Sequence, residues 1–258
     1  MKSNTLAGII ATALTASLLP VATHADEADA RRILQSMSDY LGALDTFSFD
    51  FDTEQDVVTV DGEKLGLARS GHIAVARPGQ VHVTSKGGFT DLEMVFDGGG
   101  LTVADADTAL YTTVPFEDDL AALIDALRDT YARPLPAADL LIPNAAETLL
   151  EEVTEVKDMG SGVIGGIECD HLAFRNFQAD WQLWVAQGDT PYPCRFVITS
   201  RDVAQAPQYR VTVRDWRETT DGAAFSFTPD DGMMEVDMDT FALKAPNFPA
   251  HLTLEAIQ

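Results

Sequence analysis

The sequence predicts an α+β protein: one continuous antiparallel sheet with a few helices packed on one of its faces. Three observations predict it. Apolar residues recur at a period of two, as where Phe47, Phe49 and Phe51 alternate with Ser48, Asp50 and Asp52. Turn residues break these runs at the short intervals of a meander, not of strand-helix-strand units. Three stretches show the helical period instead.

The chain opens on a secretory-type signal. Lys2 precedes an apolar run from Leu6 to Leu19, and Thr23-His24-Ala25 offers small residues for cleavage before Asp26. The run is shorter than the roughly 20 residues that span a bilayer, and no second span follows it. Residues 1–25 are therefore read as a signal peptide and 26–258 as a single domain, released into the periplasm as a monomer with no transmembrane segment.

The first helix is expected over 27–44, with Ile33, Leu34, Met37, Leu41 and Leu44 on one face and Asp26 as its cap. Strands follow at 47–52, 65–69, 72–77, 81–84, 92–96, 101–104 and 110–114. Asp61-Gly62, Ser70-Gly71, Pro78-Gly79 and Gly87-Gly88 stand as the breaks, with two Asp-rich segments after them. A second helix carries Leu120, Leu123, Ile124, Leu127 and Tyr131, and a Pro-rich stretch at 134–136 ends it. Asn144 with Glu147 three residues on reads as a capping box for a third helix to about Val153. Strands resume at 166–174, 181–186, 195–200, 209–216 and 225–228. Leu252 and Leu254 suit one last short strand.

Composition excludes some partners. Acidic residues number 41 and basic ones 17, of which only Lys2 lies in the signal, so the mature chain carries 16 − 41 = −25. Nucleic acid and anionic membranes would repel it. No HExxH, CxxC, G-x-S-x-G or phosphate-binding glycine loop occurs, so no catalytic residue, metal site or cofactor is predicted. His171 follows Asp170, but neighbouring strand residues point to opposite faces, so Asp170 is poorly placed to orient it.

Phe47, Phe49, Phe51, Leu92, Met94, Phe96, Leu101, Trp181 and Leu183 are the candidate ligand-binding residues. They form a soft apolar face that few helical side chains are available to cover, so the face closes over either a core or a cavity. Cys169 and Cys194 sit on the first and third strands of one meander, about 10 Å apart at the usual strand spacing. A disulfide needs Cα atoms within about 7 Å, yet Cys194 begins its strand and is free to curl. Bond and free thiols both stay open.

The chain resembles known families. Ser70-Gly71, Arg77-Pro78-Gly79, Asp97-Gly98 with Leu101 and Asp105, Leu110-Tyr111, and the run from Asp221-Gly222 to Thr228-Pro229 resemble the periplasmic lipoprotein carrier LolA and its superfamily. The segments 134–141, 169–175, 180–184 and 191–193 resemble a family of predicted periplasmic proteins, DUF2092. The likeness covers about 30–235. It implies an unclosed β-barrel, a half-barrel whose helices sit in the concave face as a lid over acyl chains or another hydrophobic ligand. Arg77 matches the arginine that helps hold that lid shut. As a residue it also reads as a strand-end arginine capping a turn. The long central helical stretch and the acidic excess set the chain apart from carriers of lipoprotein. Other members of the superfamily act as envelope sensors, so an envelope protein partner is the alternative to a lipid.

Overall fold

The computed structural model describes residues 23–129, 137–220, 222 and 225–245. Helix α1 (Thr23–Ala43) leads into strands β1 (Thr46–Val58), β2 (Lys64–Ala76), β3 (Gln80–Gly87), β4 (Asp91–Phe96), β5 (Gly100–Asp105) and β6 (Leu110–Pro115). Helix α2 (Leu120–Asp129), a 3-10 turn (Ala138–Leu141) and helix α3 (Ala145–Leu149) follow. Strands β7 (Glu155–Ile164), β8 (Ile167–Arg175), β9 (Ala179–Ala186), β10 (Pro193–Ser200) and β11 (Gln208–Arg217) come next, then β12 (Met234–Glu235) and helix α4 (Met238–Lys244).

The described strands form one 12-stranded sheet in the order β12-β6-β5-β4-β3-β2-β1-β11-β10-β9-β8-β7. Pairing is antiparallel except where β12 runs parallel to β6. Strands β12 and β7 stand at opposite ends, so the sheet stays open as the predicted half-barrel. β1 and β2 are 13 residues each and form its spine. Two meanders meet at the β1–β11 pair.

The sheet follows the period-two reading, with local corrections. The expected break at Ser70-Gly71 does not occur, and 65–69 and 72–77 are parts of the single strand β2. Gly71 is there for space: a Cβ would sit 2.5 Å from Phe51 Cζ and closer still to the Thr84 carbonyl oxygen. β7 begins at Glu155, eleven residues before the strand expected to resume at 166. A bulge between Asp158 and Ser161, with Gly160 at φ +86°, breaks its alternation. Residues 225–228 are not a strand; Phe227 instead rests on Tyr111 of β6, ring centroids 5.3 Å apart.

The helices also differ. α1 begins at Thr23, so Asp26 lies in its first turn instead of capping it. The Asn144 side chain caps nothing, and α3 is only five residues long. Its Ala146 N–H instead donates to Ser38 Oγ of α1 at 3.1 Å, a cap supplied from another element. Asp119 caps α2, accepting from Ala122 N–H at 2.9 Å. α4 was not expected; Asp237 caps it by accepting from Thr240 N–H at 2.8 Å. Residues 1–22 of the expected signal peptide, Tyr131, the Pro-rich 134–136 and the last predicted strand at 252 and 254 lie outside the described residues.

The apolar face of the sheet

All nine apolar candidates lie on one face. Cross-strand partners share a face in an antiparallel sheet. One row runs Phe47, Val75, Val81, Phe96, Leu101, and the next runs Phe49, Ile73, Val83, Met94, Val103. A third row places Leu92 in register with Ser85 and Gly71, and so with Phe51. Across the spine, Phe51 pairs with Val213 of β11. The second meander extends the face through Val211, Phe196, Leu183 and Leu172, and through Tyr209, Ile198, Trp181, Phe174 and Val156.

Seven of the nine are buried; Leu92 and Met94 are half-buried. Leu92 packs against the small cluster that Phe241 of α4 makes with Leu110, while Met94 joins the main core. α1 supplies Ala30, Leu34, Met37 and Leu41 to that core, and α2 supplies Leu120, Leu123, Ile124 and Leu127. Both helices thus keep the 3-4 spacing that the sequence shows. The open choice between cavity and core resolves as a filled core where these helices lie. A hollow of about 370 Å³ opens on the opposite face, between Asp52, Glu54, Trp184, Arg195 and Arg210. Another, of about 170 Å³, lies beside Arg32 and Ser36 of α1 near the β9–β10 turn.

Aromatic rings that the alternation pattern hides complete the face. Asp215 takes a left-handed conformation (φ +50°) and the β1–β11 register shifts between Ser48 and Asp50. Trp216 is thereby turned inward, stacked on Phe47 at 5.2 Å, Phe49 at 5.5 Å and Tyr192 at 5.1 Å. Its indole N–H donates to the Tyr40 hydroxyl at 2.9 Å, which in turn donates to Glu218. Burial, together with Glu218, pushes the Tyr40 phenol up to about 12. Burial does the same to Tyr209, to about 12, against a smaller opposing effect of Arg69.

Arg77, expected to touch a lid, clamps α1. Its Nε donates to the Leu44 carbonyl at 3.1 Å and its Nη2 to the Leu41 carbonyl at 3.2 Å. These are carbonyls at and just past the end of the helix, where a cation also meets the negative end of the dipole. The guanidinium lies 5.6 Å from the Phe47 ring centroid. Burial lowers its pKa below the ordinary arginine value.

The outer face is polar. Asp52 accepts from Arg214 at 2.6 and 3.1 Å, Arg210 pairs with Glu54, and His72 meets Asp50 at 2.7 Å. His171 meets Gln182 at 2.9 Å and stacks on Trp184 at 4.1 Å, while Asp170 turns away to accept from Gln187. Among the described residues no three His, Cys, Asp or Glu side chains are grouped to hold a metal, and no helix is long and apolar enough to cross a membrane.

The cysteines share one compartment. Cys169 and Cys194 lie unbonded in this structure, in one buried cluster with Ile164 and Ala186. The register shift between Pro193 and Arg195 takes Cys194 out of the ladder, so the spacing of two whole strands does not apply.

No curated protein matches the chain. Solved structures are similar to the chain at low identity. Lipoprotein LppX of Mycobacterium tuberculosis is 14% identical, over 78% of this chain and all of that one, with a TM-score of 0.46. LprF of Mycobacterium bovis is 11% identical, over 80% and 99%, at 0.45. The LolA superfamily protein NE2245 of Nitrosomonas europaea is 12% identical, over 80% and 97%, at 0.33. Likenesses of this strength carry no argument about a ligand. The family of predicted periplasmic proteins DUF2092 matches residues 30–239, and the chain belongs to that family.

Proposed function

We propose that the chain is an exported, non-enzymatic binding protein for a lipid or similar hydrophobic ligand, held on the concave face of the half-barrel once a helix moves aside. The observation that carries this reading is the single apolar face running from Leu101 on β5 to Val156 on β7, covered by separate helices and not by a second sheet. Phe47, Phe49, Phe51, Leu92, Met94, Phe96, Leu101, Trp181 and Leu183 are its proposed contacts. Displacing α2 uncovers the region around Leu120, Leu123, Ile124 and Leu127 without breaking any strand pairing. Arg77 holds α1 in the meantime.

Protein recovered after export, with its signal removed near Ala25, tests this reading by native mass spectrometry and solvent extraction. The reading expects an adduct in the mass range of a lipid that the extract contains. A clean apo mass with an empty extract contradicts it.

One observation favours a protein partner as a second reading. β7 is a ten-residue strand at the sheet end, and Met159, Val163 and Ile167 of the β7–β8 hairpin are exposed. Such an edge accepts an added strand. A proline at a β7 position with an outward N–H would abolish that partnership and leave lipid loading unchanged.

A further inference from the structure

We propose that Cys169 and Cys194 are joined by a disulfide in the exported protein, fastening β8 to β10 across β9. The inference stands apart from the ligand reading, because neither cysteine belongs to the main apolar core.

The first support is position. Both side chains are closed off from solvent, at 0% and 1% exposure, in one four-residue cluster roofed by Trp184 and Tyr192. Cys169 pairs with Ala186 in the β8–β9 ladder, so the strand between the two cysteines offers only a methyl group at that level. Ala186 N–H donates to the Tyr192 carbonyl at 2.9 Å, and the ladder then slips between Pro193 and Arg195. The slip frees Cys194 from strict strand spacing, and each thiol points to a carbonyl beside this compartment, Cys169 Sγ donating to Ile167 at 3.4 Å and Cys194 Sγ to Tyr192 at 4.0 Å.

The second support is the space around them. Gly162 faces this cluster, and a Cβ there would meet the Trp184 ring at 3.0 Å. Trp184 is therefore packed down over the site, and its ring also stacks on His171. The cysteines sit in a buried compartment on the outer side of the sheet and serve no metal cluster among the described residues.

The chemistry balances with a disulfide oxidant, the class of reagent that an oxidising compartment supplies. One cysteine thiolate attacks a sulfur of the oxidant and expels one of its thiols. The second thiolate then attacks the mixed disulfide, forms the Cys169–Cys194 bond and expels the other. The two cysteines lose two electrons and two protons, and the oxidant becomes two thiols. Burial pushes both thiols up, so thiolate is scarce once the sheet has closed. The bond therefore forms during folding.

The test uses the full mature chain recovered from an oxidising compartment, denatured in iodoacetamide without reductant. The expected result is no alkyl adduct and a mass two hydrogens below that of the reduced chain, with two adducts appearing after reduction. A peptide map places both cysteines in one cross-linked fragment. Reductant should also lower the thermal midpoint of the wild-type protein by about 5–10 °C, the effect of opening a loop of this length. The C169S/C194S double variant should show no such response. Two adducts per chain without reductant, in protein refolded with oxidised glutathione, overturn the proposal.

Discussion

The two faces of the same strands obey different physics. On β9, Trp181 and Leu183 enter the core, while Gln182 and Trp184 line the outer hollow. On β1, Phe49 and Phe51 are buried, while Asp50 and Asp52 hold His72 and Arg214. The inner face is continuous and mostly apolar, so its stability depends on what covers it. The outer face satisfies itself strand by strand through exposed ion pairs, each of which contributes little. The proposed function asks the protein to exchange the cover of its inner face without disturbing the outer one.

Core truncation should break the comparison most visibly. Phe47→Ala or Leu183→Ala is expected to lower unfolding free energy by about 3–5 kcal/mol in urea titrations, because both side chains are fully buried. Gln182→Ala, between Trp181 and Leu183 on the opposite face, should change it by less than about 0.5 kcal/mol. Equal effects would dissolve the distinction.

Arg77→Ala comes next. It removes two hydrogen bonds to the end of α1 and the contact with Phe47. A loss of about 1–3 kcal/mol is expected, with faster amide exchange in the last turns of α1 and faster uptake of an anilinonaphthalene dye. Unchanged exchange in α1 would mean that Arg77 only ends a strand.

Alkaline titration sharpens the comparison further. The phenols of Tyr40, Tyr192 and Tyr209 all rise to about 12 through burial, from an ordinary value of 10.0. A neutral phenol held above its unfolded value adds stability that is complete below pH 10 and is lost as pH rises towards 12. Urea midpoints should fall across that window, and Tyr209→Phe should flatten the fall by about one proton.

The smallest effect belongs to the outer ladder. A double-mutant cycle on Asp52 and Arg214, both about half exposed, should give a coupling below about 1 kcal/mol that fades in salt.

The sequence made the inner face legible because its residues alternate without interruption along β1, β4 and β9. It hid Trp216 and Tyr192, which reach the site through a left-handed residue and a loop, and neither leaves a periodic trace. It hid β7, because a bulge resets the alternation midway. It also overstated a local cap at Asn144, where the donor is satisfied by Ser38 more than a hundred positions away. The register slip before Arg195 was equally illegible, because slips in a ladder are set by packing, not by pattern.

Quenching by a brominated fatty acid tests the central claim most directly, since the chain has 3 tryptophans, two inside and one outside. In variants retaining a single tryptophan, the account predicts saturable quenching of Trp181 and of Trp216, with Trp184 unaffected at the same concentrations. Quenching of Trp184 alone, or of none of the three, would contradict it.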